Sequence, residues 1–303
     1  MNVLLTGSSS HLARALLPVL AASPAISRIT GIDRAPPIWR HEKFRPIQAD
    51  LTDIQPESML SGHDALVHMA WVVLRGHMPL DRMRHVNLTL SQRWLSAAAG
   101  LSRIIHVSSA SVYGQGSLLT ENARLEPIAG FHYAEHKRDI ENWLTEHVPQ
   151  AVSLRPHIIL GPHAQPLLRQ LLRMPVYIRL PDPQPELQCI HENDVANAIL
   201  LALDTPVCGP FNLAASDTFN LRDAILANQP YALAVSPALA SLSLKVMWRL
   251  FGIGGEPGWI KGSGHTLTLD CTRAEHELGW RPMHDAASLI RCGNDSASAR
   301  NAV

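Results

Sequence analysis

The first half of the chain alternates short apolar runs that stop abruptly with segments of helical composition, and this constrains the fold more than any other feature. Residues 3–6 form an apolar run ending at Gly7, and residues 12–22 are apolar enough for a helix lying on a sheet. Residues 29–32 repeat the strand signal up to Asp33. Residues 65–70 and 103–107 are further runs of this kind, with helical composition at 87–99 between them. Strands buried on both faces read as continuous apolar runs, and repeated βα units require a parallel sheet with helices on both sides. Right-handed crossovers then predict an α/β fold with a doubly wound parallel sheet.

After about residue 160 the rhythm changes. Pro162, Pro166, Pro175, Pro181, Pro183 and Pro185 mark loop-rich structure that leaves the sheet. A helix is expected over 193–203 and a strand over 211–213, and the small, polar tail 293–303 is expected to fray. The reading is a sheet domain over 1–160, with 188–205 returning to it, and a smaller C-terminal lobe, mainly 161–303, that binds substrate.

Composition removes several functions. Of 303 residues, 46% are hydrophobic and 17% charged, enough to bury a core. Lys+Arg and Asp+Glu both number 26, so no basic excess exists to meet nucleic-acid phosphates. No apolar run approaches the roughly 20 residues that span a bilayer. Cys189, Cys208, Cys271 and Cys292 lie far apart with no CxxC pair, which suits free thiols in a reducing compartment. Residues 19–23 look superficially like a signal-peptide cleavage region, but no basic segment precedes them and residues 7–11 interrupt the apolar stretch. The start is read as mature structure and the protein as cytoplasmic.

The turn after the first strand reads Thr6-Gly7-Ser8-Ser9-Ser10-His11-Leu12-Ala13. A glycine-rich turn there lets backbone N–H groups approach a pyrophosphate at a helix N-terminus. Only the first glycine is present; Ser10 and Ala13 stand where others are expected, so a plain serine helix cap is the competing reading. Asp33 ends the second strand about 20 residues on, where a carboxylate accepts ribose hydroxyls and repels a 2′-phosphate. That favours NAD over NADP, although Arg34 beside it is suited to a phosphate.

Tyr133 and Lys137 are four apart and share a helix face. An ammonium beside a phenol lowers its pKa and fits it for proton transfer at a hydroxyl or carbonyl. Upstream, strand 104–107 runs into Ser108-Ser109-Ala110-Ser111-Val112-Tyr113-Gly114, where a hydroxyl can hold the substrate oxygen against the tyrosine.

With these residues in view, the chain resembles the short-chain dehydrogenase/reductase superfamily in its extended, NAD-dependent epimerase/dehydratase branch. The match includes Thr6-Gly7, Asp33, Asp50-Leu51, Val67-His68-Met69-Ala70-Trp71, Asn87, the Ser108–Gly114 stretch, Tyr133-x-x-x-Lys137 and Leu154-Arg155-Pro156. It continues through Gly161-Pro162, Ile190-His191-Glu192-Asn193-Asp194-Val195-Ala196, Phe211-Asn212-Leu213 and Glu277-Leu278-Gly279-Trp280-Arg281-Pro282. The resemblance implies a Rossmann domain with Tyr133 as catalytic acid/base, Ser109 as the catalytic hydroxyl, and Lys137 binding the nicotinamide ribose while lowering the Tyr133 pKa. It implies a cofactor site at Gly7, Ser10, His11, Leu12, Asp33, Arg34, Asp50, Leu51, Met69, Ala70, Trp71, Asn87, Val107, Pro156 and Ile158. Arg75 and His157 join Ser109 as substrate contacts. Ser10, Ala13, Trp71 in place of a small residue, and His157-Ile158 in place of a residue-Asn pair depart from the family pattern.

Relatives that act on nucleotide sugars often carry an arginine where this chain has Leu187, beside Glu186. That tilts the reading toward a dehydrogenase/reductase for a hydrophobic, steroid-like alcohol, with a nucleotide-sugar epimerase or dehydratase as the alternative. A catalytically silent NAD(P)-binding protein is the second alternative. Residues 237–252 form an apolar segment with Lys245 and Arg249 four apart; the preferred reading is an amphipathic helix packed on the domain, the other a peripheral lipid contact. His132 and His136 have ligand spacing but no obvious third partner, so no catalytic metal is expected. His68 is read as a core histidine. The resemblance implies a homodimer.

Overall fold

The structure, a computed structural model, describes residues 1–74, 76–165, 170–251 and 257–292. Arg75, Pro166 and the tail expected to fray lie outside the described residues.

Along the chain run β1 (Asn2–Thr6), α1 (His11–Ala22), β2 (Arg28–Asp33), β3 (Phe44–Gln48), α2 (Pro56–Leu60), β4 (Ala65–His68), α3 (Leu80–Arg84), α4 (Ser91–Ala97) and β5 (Arg103–Val107). Then come β6 (Gly116–Leu119), α5 (His132–His147), β7 (Val152–Pro156), β8 (Ile158–Leu160), β9 (Val176–Ile178), β10 (Cys189–His191), α6 (Glu192–Asp204) and β11 (Gly209–Leu213). The lobe continues with α7 (Leu221–Asn228), β12 (Leu233–Val235), α8 (Pro237–Phe251), α9 (Pro257–Ser263), β13 (Leu267–Leu269), α10 (Thr272–Glu277) and α11 (Ala286–Cys292).

Seven strands form one parallel sheet in the order β11-β7-β5-β4-β1-β2-β3. β1 lies between β2 and β4, with Val3 opposite both Ile29 and Ala65. The chain reverses direction of winding there, so a crevice opens beyond the strand C-termini at this switch point. The doubly wound α/β fold read from the sequence is the fold observed. Leu16, Leu17 and Leu20 of α1 and Val195 and Ile199 of α6 are fully buried on one face. Trp94 and Leu95 of α4 and Ile140 of α5 are buried on the other.

β3 was not anticipated. Of its residues Phe-Arg-Pro-Ile-Gln only Phe44 is buried, and they contain Pro46, the pattern of a sheet edge rather than of a doubly covered strand. The helix expected over 87–99 starts earlier, at α3, and passes through a π-helical stretch, His85–Leu90, into α4. The wider turn buries Asn87 completely, and its amide brackets Val72: Oδ1 accepts from the Val72 N–H at 2.8 Å and Nδ2 donates to the Val72 carbonyl at 3.1 Å.

α8 is the helix expected over its segment, and only part of its apolar surface meets the domain. None of its described residues is buried, and Leu239, Leu242, Val246, Met247 and Leu250 are exposed. No helix among the described residues is long and apolar enough to cross a membrane.

Candidate active site

The turn from β1 into α1 is fixed by Gly7. Its φ is +76°, and a Cβ there would stand 2.8 Å from the Ala70 backbone nitrogen, so any side chain would collide with the end of β4. Ser10 caps α1, its hydroxyl accepting from the Ala13 N–H at 3.3 Å. His11 is exposed and Leu12 half-buried at the start of α1. The Asp33 carboxylate accepts from the Ser9 and Ala35 N–H groups, both at 2.9 Å, which ties it to the turn. Arg34 is exposed beside it. Asp50 follows β3; the Thr52 N–H holds its carboxyl below the usual range, and Arg34 and Arg82 add to the effect. Leu51 is half-buried, Met69 buried and Ala70 half-buried. These residues lie at or follow the C-terminal ends of β1, β2, β3 and β4.

Ser109 follows β5 and Tyr133 sits in the first turn of α5. The Ser109 side chain nearby lowers the Tyr133 pKa, but burial outweighs it and the phenol lies above its ordinary value of 10.0. Ser109 also accepts from the Ser111 N–H at 3.2 Å and the Ser111 hydroxyl at 2.9 Å. Phe131 and Trp259 cover the phenol, with ring centroids 5.7 and 5.6 Å from it. The Trp259 Nε1 is buried without a hydrogen-bond partner.

Lys137 departs from the expected arrangement. Its Nζ donates to the Val107 carbonyl at 2.5 Å and lies over the Trp71 ring, 3.5 Å from the centroid. Burial pushes it well below the ordinary lysine value, partly opposed by Glu141. The expected lowering of the Tyr133 pKa by Lys137 is absent: the ammonium is occupied by an indole and a carbonyl. Two buried histidines adjoin it. His68 bonds Thr6 and Ser91 at 2.8 and 2.9 Å, and burial, helped by Lys137, holds it down at about 3. Neither ring nitrogen of His106 has a hydrogen-bond partner, and burial holds it neutral as well.

One buried network braces this floor. The Ser108 hydroxyl donates to Glu141, one turn beyond Lys137 on α5. Glu141 pairs with Arg155 of β7 at 2.6 Å, both side chains 5% exposed or less. Arg155 Nη1 donates to the Tyr113 hydroxyl at 2.5 Å, which donates to Asn212 Oδ1 on β11 at 2.8 Å. The Asn212 amide donates to the carbonyls of Leu119 and Asp270. Arg155 and Asn212 appear in the sequence only as pieces of an ordered motif; their coupling depends on β7 and β11 being neighbours. Phe131, Trp259 and His106 were not picked out, because the lobe brings Trp259 over Tyr133 without any local pattern.

The remaining expected residues are placed as follows. Val107 presents its carbonyl to Lys137, Pro156 is buried at the end of β7, and Ile158 is half-buried between two core clusters. His157 does not face a cleft: Nε2 bonds the Leu267 carbonyl at 2.9 Å and Nδ1 the Ile158 N–H at 2.8 Å, which leaves no ring nitrogen for a substrate. Leu187 is 5% exposed and packs with Tyr113 and Leu267, so it carries no information about an anion. His132 bonds Glu135 at 2.8 Å, and His136 is buried and held at about 4. Among the described residues no group of three or more His, Cys, Asp or Glu side chains is arranged to hold a metal ion.

A parallel switch-point crevice with a close-approach glycine, a carboxylate ending β2 and a Ser–Tyr hydroxyl pair after β5 define a dinucleotide-binding α/β protein. Residues 3–214 match the model of the NAD dependent epimerase/dehydratase family, and the chain belongs to that family of enzymes. It is 24% identical over 219 residues to a UDP-glucose 4-epimerase of Vibrio cholerae, a match covering 67% of this chain and 66% of that protein. A Mycobacterium bovis protein is 28% identical over 73% of this chain, which spans only 22% of its length. In fold, the chain is similar to a Bacillus cereus UDP-glucuronic acid 4-epimerase solved with UDP-glucuronic acid and NAD, with TM-score 0.75, 18% identity and coverage of 99% and 100% of the two chains.

Proposed function

We propose that the protein is an NAD-dependent enzyme that oxidises and re-reduces a secondary carbinol, with Tyr133 moving the hydroxyl proton and Ser109 holding the same oxygen. The observation that carries this reading is the placement of Ser109 just past β5 and Tyr133 in the first turn of α5, near enough for the Ser109 side chain to act on the Tyr133 pKa. The residues suit the cofactor. Gly7 and the N-terminus of α1 suit a pyrophosphate, and Asp33 suits free ribose hydroxyls and disfavours a 2′-phosphate. When bound, NAD supplies the acceptor for the hydride that leaves the carbinol carbon. As the phenolate, Tyr133 accepts the hydroxyl proton while the carbonyl forms, and as the phenol it returns that proton on reduction. Ser109 fixes the oxygen within reach of the phenol. Lys137 assists only after leaving the Trp71 indole, because from its present place it does not bias the phenol.

A nucleoside-diphosphate sugar is the substrate class to test first. The Bacillus cereus enzyme of similar fold holds one beside NAD, and the sequence argument against it lapses with Leu187 packed in the core. The comparisons bring nothing in favour of a steroid-like alcohol. Return of the keto product on its other face gives epimerisation; its release gives net oxidation. A homodimer formed through helices of the sheet domain belongs to the same reading, and light scattering tests it.

A catalytically silent NAD-binding protein is the second reading, favoured by the Trp71–Lys137 contact. Titration with NAD and NADP, followed by a nucleotide-sugar panel read both at the reduced-nicotinamide band and for epimerised product, separates the two. Tyr133→Phe is expected to lower kcat by about 10²–10⁴-fold and leave the NAD Kd unchanged. Normal NAD binding with no Tyr133-dependent signal supports the silent reading, and tighter NADP than NAD overturns the cofactor assignment.

A further inference from the structure

We propose that α8, with the strand edge beside it, docks the protein onto an anionic lipid surface. α8 is 15 residues long, about 22 Å at 1.5 Å per residue, so it is suited to lie in an interface and not to span one. One side is turned to the protein: Ala240, Ser241, Leu244 and Trp248 are half-buried, and the Trp248 carbonyl meets His77 Nε2 at 2.8 Å. On the rest of the helix Leu239, Leu242, Val246, Met247 and Leu250 follow helical spacing and are exposed, from 42% at Met247 to 64% at Leu250. The patch extends past the helix start. Leu233 and Tyr231 are 70% and 94% exposed, and the Leu233 N–H bonds the carbonyl of Pro175, next to exposed Met174. Single exposed apolar residues need no partner, but a run of this kind marks an interaction face.

Charge selects the occupant. From residue 224 to 255 the chain has no acidic residue, and α8 carries Lys245 and Arg249. Arg173 and Arg179 flank β9, whose partner strand β12 leads into α8. A second copy seated on this face in a two-fold contact would set Lys245 and Arg249 against their own kind, with no carboxylate on either helix to answer them. Anionic headgroups answer them directly, and the long Lys and Arg stems reach those headgroups while the leucines enter the acyl boundary. α8 also packs on α9, whose Trp259 covers Tyr133. The docked face therefore lies one element away from the candidate active site.

The test is flotation of the full chain with phosphatidylcholine vesicles, alone or with about one third phosphatidylglycerol. Co-flotation with the anionic vesicles only, largely reversed by about 0.5 M salt, is the expected result. Leu242→Glu with Leu250→Glu is expected to lower the bound fraction about tenfold, and Lys245→Gln with Arg249→Gln to remove the preference for phosphatidylglycerol. Unchanged NAD affinity and melting temperature show that the variants are folded. Failure of the unmodified protein to float overturns the proposal, as does flotation that survives Leu242→Glu with Leu250→Glu. Light scattering decides the alternative: absent flotation, a dimer that this double variant splits assigns the face to a second copy. None of these readouts uses catalysis, so the proposed chemistry can fail without affecting them.

Discussion

Beneath Tyr133, on the sheet side, Ser108, Glu141, Arg155, Tyr113 and Asn212 form one continuous buried chain of hydrogen bonds, two of its members oppositely charged. Above it, on the lobe side, Phe131 and Trp259 meet the phenol only through ring stacking, and α8 has no buried residue among those described. A buried ion pair holds one geometry, because losing either partner strands a charge in a low dielectric. Stacked rings slide at small cost. The site thus has a floor built on a buried ion pair and a roof built on aromatic contacts.

Arg155→Met should show the largest difference between the two sides. It leaves Glu141 buried and unpaired and is expected to cost about 3–5 kcal/mol in denaturant unfolding. Trp259→Ala is expected to cost no more than about 2 kcal/mol and to act mainly on KM. Equal losses in the two variants would break the comparison. Gly7→Ala comes next, at about 2 kcal/mol, since the backbone of Ala70 cannot yield to a Cβ at 2.8 Å; NAD titration should show weakened binding in the same variant.

Acid should weaken the fold as a whole. His68 and His157 are held by burial at about 3 and about 4, below the 6.5 of an unfolded histidine. Between those values and 6.5 the unfolded chain binds the extra protons, so their stability contribution is full above pH 6.5 and is lost as pH falls. The slope is about 1.4 kcal/mol per pH unit for each group. Unfolding curves from pH 7 to 4 should show it, and His68→Gln should flatten it by one proton's worth; an unchanged slope would remove His68 from the account.

Trp71→Ala sharpens the comparison at the boundary of floor and roof. Freed from the indole, Lys137 can turn toward Tyr133, and the alkaline limb of the oxidation rate should move down by about one pH unit. In the unmodified enzyme that limb is expected above 10, because burial raises the phenol. The smallest effect is expected from Leu242→Glu, within about 0.5 kcal/mol, since its side chain is already exposed. A larger loss would mean that α8 is packed more firmly than its exposure indicates.

The candidate chemistry was legible from residue order. Gly7, Asp33 and Ser109 stand at or just past strand ends, and Tyr133 and Lys137 in the first two turns of one helix, where short-range rules apply. β3 was not legible, because an edge strand with Pro46 lacks the apolar run that marks the central ones. The contacts of Trp71 and His157 were not legible, because a side chain's type does not say which neighbour it will meet. His157 turned inward to the Leu267 carbonyl, a contact made only once β13 is in place.

The sequence by itself determined the sheet, its parallel winding and the positions of the chemistry along it, since apolar periodicity and glycine requirements are local and act wherever the chain is. Only the tertiary structure decided that Lys137 rests under Trp71, that Trp259 covers Tyr133, and that the apolar stripe of α8 stays in solvent. Those outcomes depend on contacts between residues distant in sequence. Such contacts are set by how the lobe and sheet pack, and no local pattern encodes them.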